Sequence, residues 1–133
     1  MVNDLSTTSF YSDIRRILEA SRQKVYTAVN SAMVEAYWQI GKRIVEEEQQ
    51  GKGRAKYGQH LIKNLSAQLT VEFGKGFSVA NLKNFRQFYL IFPENEKGYA
   101  VRSELSWTHY RALIRVDNPK ARLWYLEEAI EQN

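Results

Sequence analysis

The sequence predicts an all-α protein of about five helices, on three observations. Apolar residues recur at steps of three and four over most of the chain. Only two prolines occur in 133 residues, so long stretches lack a helix breaker. Serine, asparagine and proline stand where helices would begin, at Ser78, Ser106 and Asn118-Pro119.

The first helical stretch runs from Phe10 to about Gln50, through Ile14, Ile17, Leu18, Val25, Val29, Met33, Tyr37, Ile40 and Ile44. Residues 1–9 are read as a flexible N-terminus ahead of a single helical domain at 10–133. Roughly 40 residues exceeds the usual globular helix, which predicts either a break near Ser21 or Gly41 or a long helix used for pairing. Ala28, Ala32 and Ala36 lie four apart beside the apolar stripe, so a second helix, from this chain or another, can approach closely there. A homodimer is therefore one expectation.

GKGRAKYG at 51–58 carries three glycines and three cations and reads as an exposed basic loop. A second helix follows over Gln59 to Phe73, with Leu61, Ile62, Leu65, Leu69 and Phe73 on one face and Gly74 as its stop. After the GKGF turn, Ser78 caps a third helix over 79–92, ended by Pro93, with Leu82, Phe85, Tyr89 and Phe92 inward. Residues 93–105 read as a connection in which YAVR, 99–102, is a candidate short strand. Ser106 caps a fourth helix, with Leu105 and Tyr110 placed as a hydrophobic staple and His109 as a capping or packing residue. The fifth begins at Pro119 and carries Leu123, Leu126 and Ile130. It ends without a glycine or a basic last turn, as if cut from a longer protein.

Composition narrows the function. Apolar residues make up 44% and charged residues 26%, the balance of a folded globular domain. No apolar run approaches a membrane span and no secretory leader is visible, so the chain is expected in the cytoplasm, off the membrane. Cysteine is absent, and His60 and His109 stand too far apart for a helical ligand pair, so neither a disulfide nor a metal or other cofactor is expected. Glu46, Glu47 and Glu48 are consecutive and point about 100° apart on a helix, a solvated end rather than a metal site. Phosphate-cradling loops, metalloprotease motifs and nucleophile elbows are all missing, and GKGRAKYG lacks the GK[ST] ending. No catalytic residue is expected.

The net charge of +4 leans towards a polyanion partner. The second and third helices joined by GKGF make a helix-turn-helix-like unit at 59–92, an outline that lays one helix into the major groove of DNA. Lys83, Asn84 and Gln87 would face the bases, with Arg86 on the border of that face. Lys75 in the turn and Arg54, Lys56 and Lys63 upstream would hold the backbone. The alternative is a solvated or protein-contacting face on a module that dimerises through the first helix.

Four strings in order, AYWQIGKRIVEEEQQGKGRAKYGQHLIKNLSAQL, GKGFSVANLKNFRQFYLIFP, ELSWTHYRALIRVDNP and ARLWYLEEAIEQN, resemble the N-terminal domain of the YhcG-type family, the N-terminal part of domain of unknown function 1016, from about residue 10 onwards. The resemblance implies that full-length relatives continue into a nuclease domain of the PD-(D/E)XK kind, absent here. It further implies a non-catalytic module that binds DNA for that nuclease or positions it by dimerisation or protein contact. It brings no ligand residues of its own.

Overall fold

The structure, a computed structural model, describes residues 3–51, 55–93 and 105–132, with residues 3–7, 55 and 56 described as backbone only. Five helices follow one another: α1 (Asn3–Gln50), α2 (Ala55–Phe73), α3 (Val79–Ile91), α4 (Trp107–Ile114) and α5 (Pro119–Gln132). No strand occurs among the described residues. YAVR lies outside them.

Of the two alternatives for the first stretch, the long helix is the one found. α1 is continuous for 48 residues, about 72 Å at 1.5 Å per residue. Ser21 does not break it, because a serine facing solvent leaves the backbone ladder intact. Gly41 does not break it either, because its missing side chain admits α3. A Cβ at Gly41 would collide with the carbonyl oxygen of Phe85, so the two helix backbones touch there. Around that contact the Tyr37 and Phe85 rings stack, centroids 4.3 Å apart and planes within 8°. The Trp38 indole donates to the Phe92 carbonyl at 2.6 Å, where α3 has run out of helical partners for its last oxygens.

Two clusters make the core. Val34 and Trp38 of α1 meet Phe88 and Phe92 of α3, Tyr110 and Leu113 of α4 and Leu126 of α5. Ile44, Ile62, Leu82 and Phe85 form the second, and the Trp107 ring bridges the two. The buried arc of α3 is wider than the sequence predicts: Phe88 is fully buried and Tyr89 only partly, because α3 is covered by α1 and α4 together.

The helix starts follow their local chemistry. Ser78 Oγ accepts from the Asn81 amide at 3.1 Å. Gly74 and Gly76 both have positive φ, 81° and 111°, which makes the turn before α3 possible. Ser106 and His109 form a reciprocal cap in which the Ser106 amide donates to His109 Nδ1 at 3.1 Å, while Leu105 and Tyr110 are buried beside it. Asn118 Oδ1 accepts from the amides of Lys120 and Ala121 at 2.9 and 3.2 Å, and Pro119 is the first residue of α5. α2 starts at Ala55 rather than Gln59, because Tyr57 packs back against Gly51 and its hydroxyl reaches Glu47 at 3.1 Å.

The contact at Gly41 is the tightest joint between helices and has no slack. Gly41→Ala is expected to lower unfolding stability by about 3 kcal/mol, the upper range for overpacking, because the obstacle is backbone and cannot rotate away. Urea denaturation followed by circular dichroism reads this directly.

Candidate functional site

The expected nucleic-acid contacts fall in three places. Arg54 lies outside the described residues, and of the Lys56 side chain nothing is described. Lys63 on α2 and Lys75 in the glycine turn are exposed. On α3, Lys83 and Gln87 are exposed one helical turn apart, with Asn84 half-buried beside Lys83 and Leu90 exposed a further turn along. Arg86 turns away from this group: its guanidinium binds Glu48 of α1 at 2.6 Å, and both side chains are partly buried. The structure thus keeps Lys83, Asn84 and Gln87 on one face and commits Arg86 to holding α3 against the end of α1.

The sequence places an apolar stripe along α1 and a pairing role on it, but not how far that stripe is exposed nor the groove beside it. Between Thr8 and Met33 no residue of α1 is buried, and Phe10, Ile17, Val25 and Tyr26 are each about 60% exposed or more. This arm extends about 39 Å. At about 100° per residue, Tyr11, Ile14, Leu18, Val25, Val29 and Met33 line one side of it. The same side continues into the globular part as Ala36, Ile40 and Ile44, where it becomes the floor of an open groove of about 740 Å³. Leu61, Leu65, Leu69 and Phe73 of α2 make the facing wall, and Phe77 closes one end. The groove is apolar except at its rim, where Gln39, Arg43 and Glu47 stand. Single apolar residues scattered on a surface are ordinary; here Tyr11, Ile14, Leu18, Val25, Val29 and Met33 share one side of a helix.

The rim is electrostatically organised. Arg43 donates to Glu47 at 3.0 Å and lies 3.8 Å from Glu46. The Arg43 hydrogen bond, then the Tyr57 hydroxyl, hold the Glu47 carboxyl below the usual carboxylate range. At the far end of the fold, Trp124 and Tyr125 of α5 meet edge to face at 5.0 Å and remain about half exposed, a smaller second patch. His109 is accounted for by its cap. Among the described residues, no three carboxylate or histidine side chains converge as a metal site would need, and no helix is long and apolar enough to cross a membrane.

Comparison with known proteins agrees with the sequence. Residues 13–133 match the family described as DUF1016 N-terminal domain. The chain is 36% identical over 122 residues to the Escherichia coli (strain K12) protein named "Putative nuclease YhcG", an overlap that takes in 89% of this chain and 32% of that one. The chain therefore spans about a third of the length of that relative. No solved structure matches it.

Because its folded pKa is depressed, Glu47 adds stability above the ordinary carboxylate pKa and loses it as pH falls through the depressed value. Tyr57→Phe removes one of the two hydrogen bonds, so the Glu47 pKa is expected to rise towards its ordinary value, read by carbon-detected NMR titration of the side-chain carboxyl.

Proposed function

This chain belongs to the DUF1016 N-terminal domain family, and from that premise we propose that it is a non-catalytic interaction module that positions the nuclease part of longer relatives through protein contact along α1. The observation that carries this reading is the uncovered apolar side of α1 from Tyr11 to Met33, which runs on into the open groove against α2. Most helical stability in proteins comes from packing an apolar face, and along the arm that face is left in water. A face of this kind is selected to be covered. In the relative, the name assigns a nuclease activity to a protein three times as long, and a module of this shape serves such an activity by assembly.

Native-state hydrogen exchange tests the reading. The amides of residues 10–33 are expected to gain protection as the chain is concentrated, or in the matching helix of the full-length E. coli relative. Exchange at the rate of an isolated helix in both settings would end it.

A second reading, DNA contact through α3, is favoured by one observation: Ser78 fixes the start of α3 so that Lys83, Asn84 and Gln87 share an outer face preceded by the exposed Lys75 turn. A labelled random duplex should then bind with an affinity that falls steeply between roughly 50 and 200 mM salt, and fluorescence anisotropy should lose that binding when Lys83, Asn84 and Gln87 are replaced together by alanine. Absence of binding at the lower salt removes this reading and leaves the first untouched.

A further inference from the structure

We propose that the occupant of the groove is the arm of a second copy of this chain: two α1 helices lie antiparallel about a two-fold axis near residue 31, and each arm fills the groove between α1 and α2 of the other. This rests on the interaction reading and names its partner. Three independent features of the chain lead to it.

The first is continuity of one face. The arm residues Leu18, Val25 and Val29 and the groove-floor residues Ile40 and Ile44 lie on the same side of one unbroken helix. The globular part is joined to a different side, through Val34, Trp38 and Gly41, which leaves this face open along the arm and at Ala36 and Ile40, interrupted by Arg22, before Ile44 is buried under α2 and α3. A face that is both plug and socket is self-complementary, which is the requirement of a two-fold interface. With the axis near residue 31, Leu18 of one copy enters the groove of the other over Ile40 and Val29 meets Met33. Ala28 and Ala32 flank the crossing, where small side chains let two helices approach.

Charge is the second feature. From Thr8 to Met33 the chain carries Arg15, Arg16, Arg22 and Lys24 against Asp13 and Glu19; from Glu35 to Gln50 it carries Glu35, Glu46, Glu47 and Glu48 against Lys42 and Arg43. The two halves of α1 are opposite in sign. Antiparallel pairing in this register sets Arg15 of one copy at the level of Glu47 of the other, on the shared side of the helix. A parallel pair would set like against like at both ends, so the charges select the direction.

Area is the third. Nine large apolar side chains of the arm are between 40% and 66% exposed. Covering the ones on the shared face in two reciprocal contacts, with the groove residues they meet, removes on the order of 1,500 Å² from water, the size of a standard specific interface. The arm alone, folded on itself or left free, removes none of it.

Because the chain has no cysteine, single cysteines report the pairing without background. Leu18→Cys and Arg43→Cys chains, both substituted at exposed positions, would be mixed and treated with a short bis-maleimide crosslinker, beside each variant alone and beside light scattering of the unmodified chain. The expected result is a dimer mass and a crosslinked product in the mixture, with little from Leu18→Cys alone, whose two copies stand about 39 Å apart in the antiparallel pair. Efficient Leu18→Cys self-linking would show a parallel pair, and a monomer mass at tens of micromolar would show none; either overturns the inference. Protection of residues 10–33 in the full-length relative alongside a monomer mass would keep the interaction reading and assign the face to another partner. As a check on charge, Glu47→Lys with Arg15→Glu should restore a crosslink that either substitution alone weakens several-fold.

Discussion

Everything in this fold is arranged around the point where the backbone of α1 meets the backbone of α3 at Gly41 and Phe85. Helices with ordinary side chains at their crossing stand roughly 8–10 Å apart. Glycine on one side leaves no room for a Cβ against the Phe85 carbonyl, and the neighbours pack around that contact: Tyr37 stacks on Phe85 and Trp38 donates to the Phe92 carbonyl at the end of α3. Once α3 is fixed, its far side becomes the platform for α4, through the Phe88, Trp107 and Tyr110 rings, and α5 closes over them with Leu126. The Arg86 to Glu48 pair keeps the same two helices from rotating about the crossing.

Such a joint uses only part of α1. Its last 17 residues, from Val34, anchor the globular part, and the preceding residues are a lever carried on it. A terminal extension with a polar surface would fray without consequence. This one carries tyrosine, isoleucine, leucine and valine at positions about half exposed, and each forgoes about half of the roughly 1.5–3 kcal/mol that full burial returns. The structure of one chain is therefore energetically incomplete on the side of α1 that faces away from α3.

The helices were legible in the sequence wherever the signal was local. Ser78, Ser106 with His109, and Asn118 with Pro119 each act within three residues, so the starts of α3, α4 and α5 can be read from composition alone. The start of α2 could not, because it depends on Tyr57 reaching back to Gly51 and Glu47. Phe88 was missed for a related reason: a period of 3.6 finds the centre of a buried face but not its width, which is set by how many neighbours cover the helix. For Arg86, placed on the border of an outer face, the deciding contact is 38 residues away. The groove was invisible because it is a gap between two helices, whereas the arm was in view as an apolar stripe whose exposure no periodicity reports. The break considered at Ser21 or Gly41 shows the same limit: glycine in a helix marks either a weakness or a close approach, and only the partner distinguishes them.

The charges at the end of α1 carry the argument one step further. The C-terminus of a helix concentrates partial negative charge, so carboxylates in its last turns are unfavourable unless cations stand nearby. α1 ends in Glu46, Glu47 and Glu48 with no basic residue in its last turn. Two of the three have close partners within the chain: Glu47 has Arg43 and Tyr57, and Glu48 has Arg86. Glu46 lies 3.8 Å from the same Arg43, with both side chains largely in water, where such a pair is worth little. One guanidinium is thus shared between two carboxylates at the negative pole of a 48-residue helix, which leaves a residual negative field at the mouth of the apolar groove. A basic apolar segment would enter such a groove and an acidic one would be repelled. The arm, apolar on one side with Arg15 and Arg22 beside that side, meets both requirements within the same sequence.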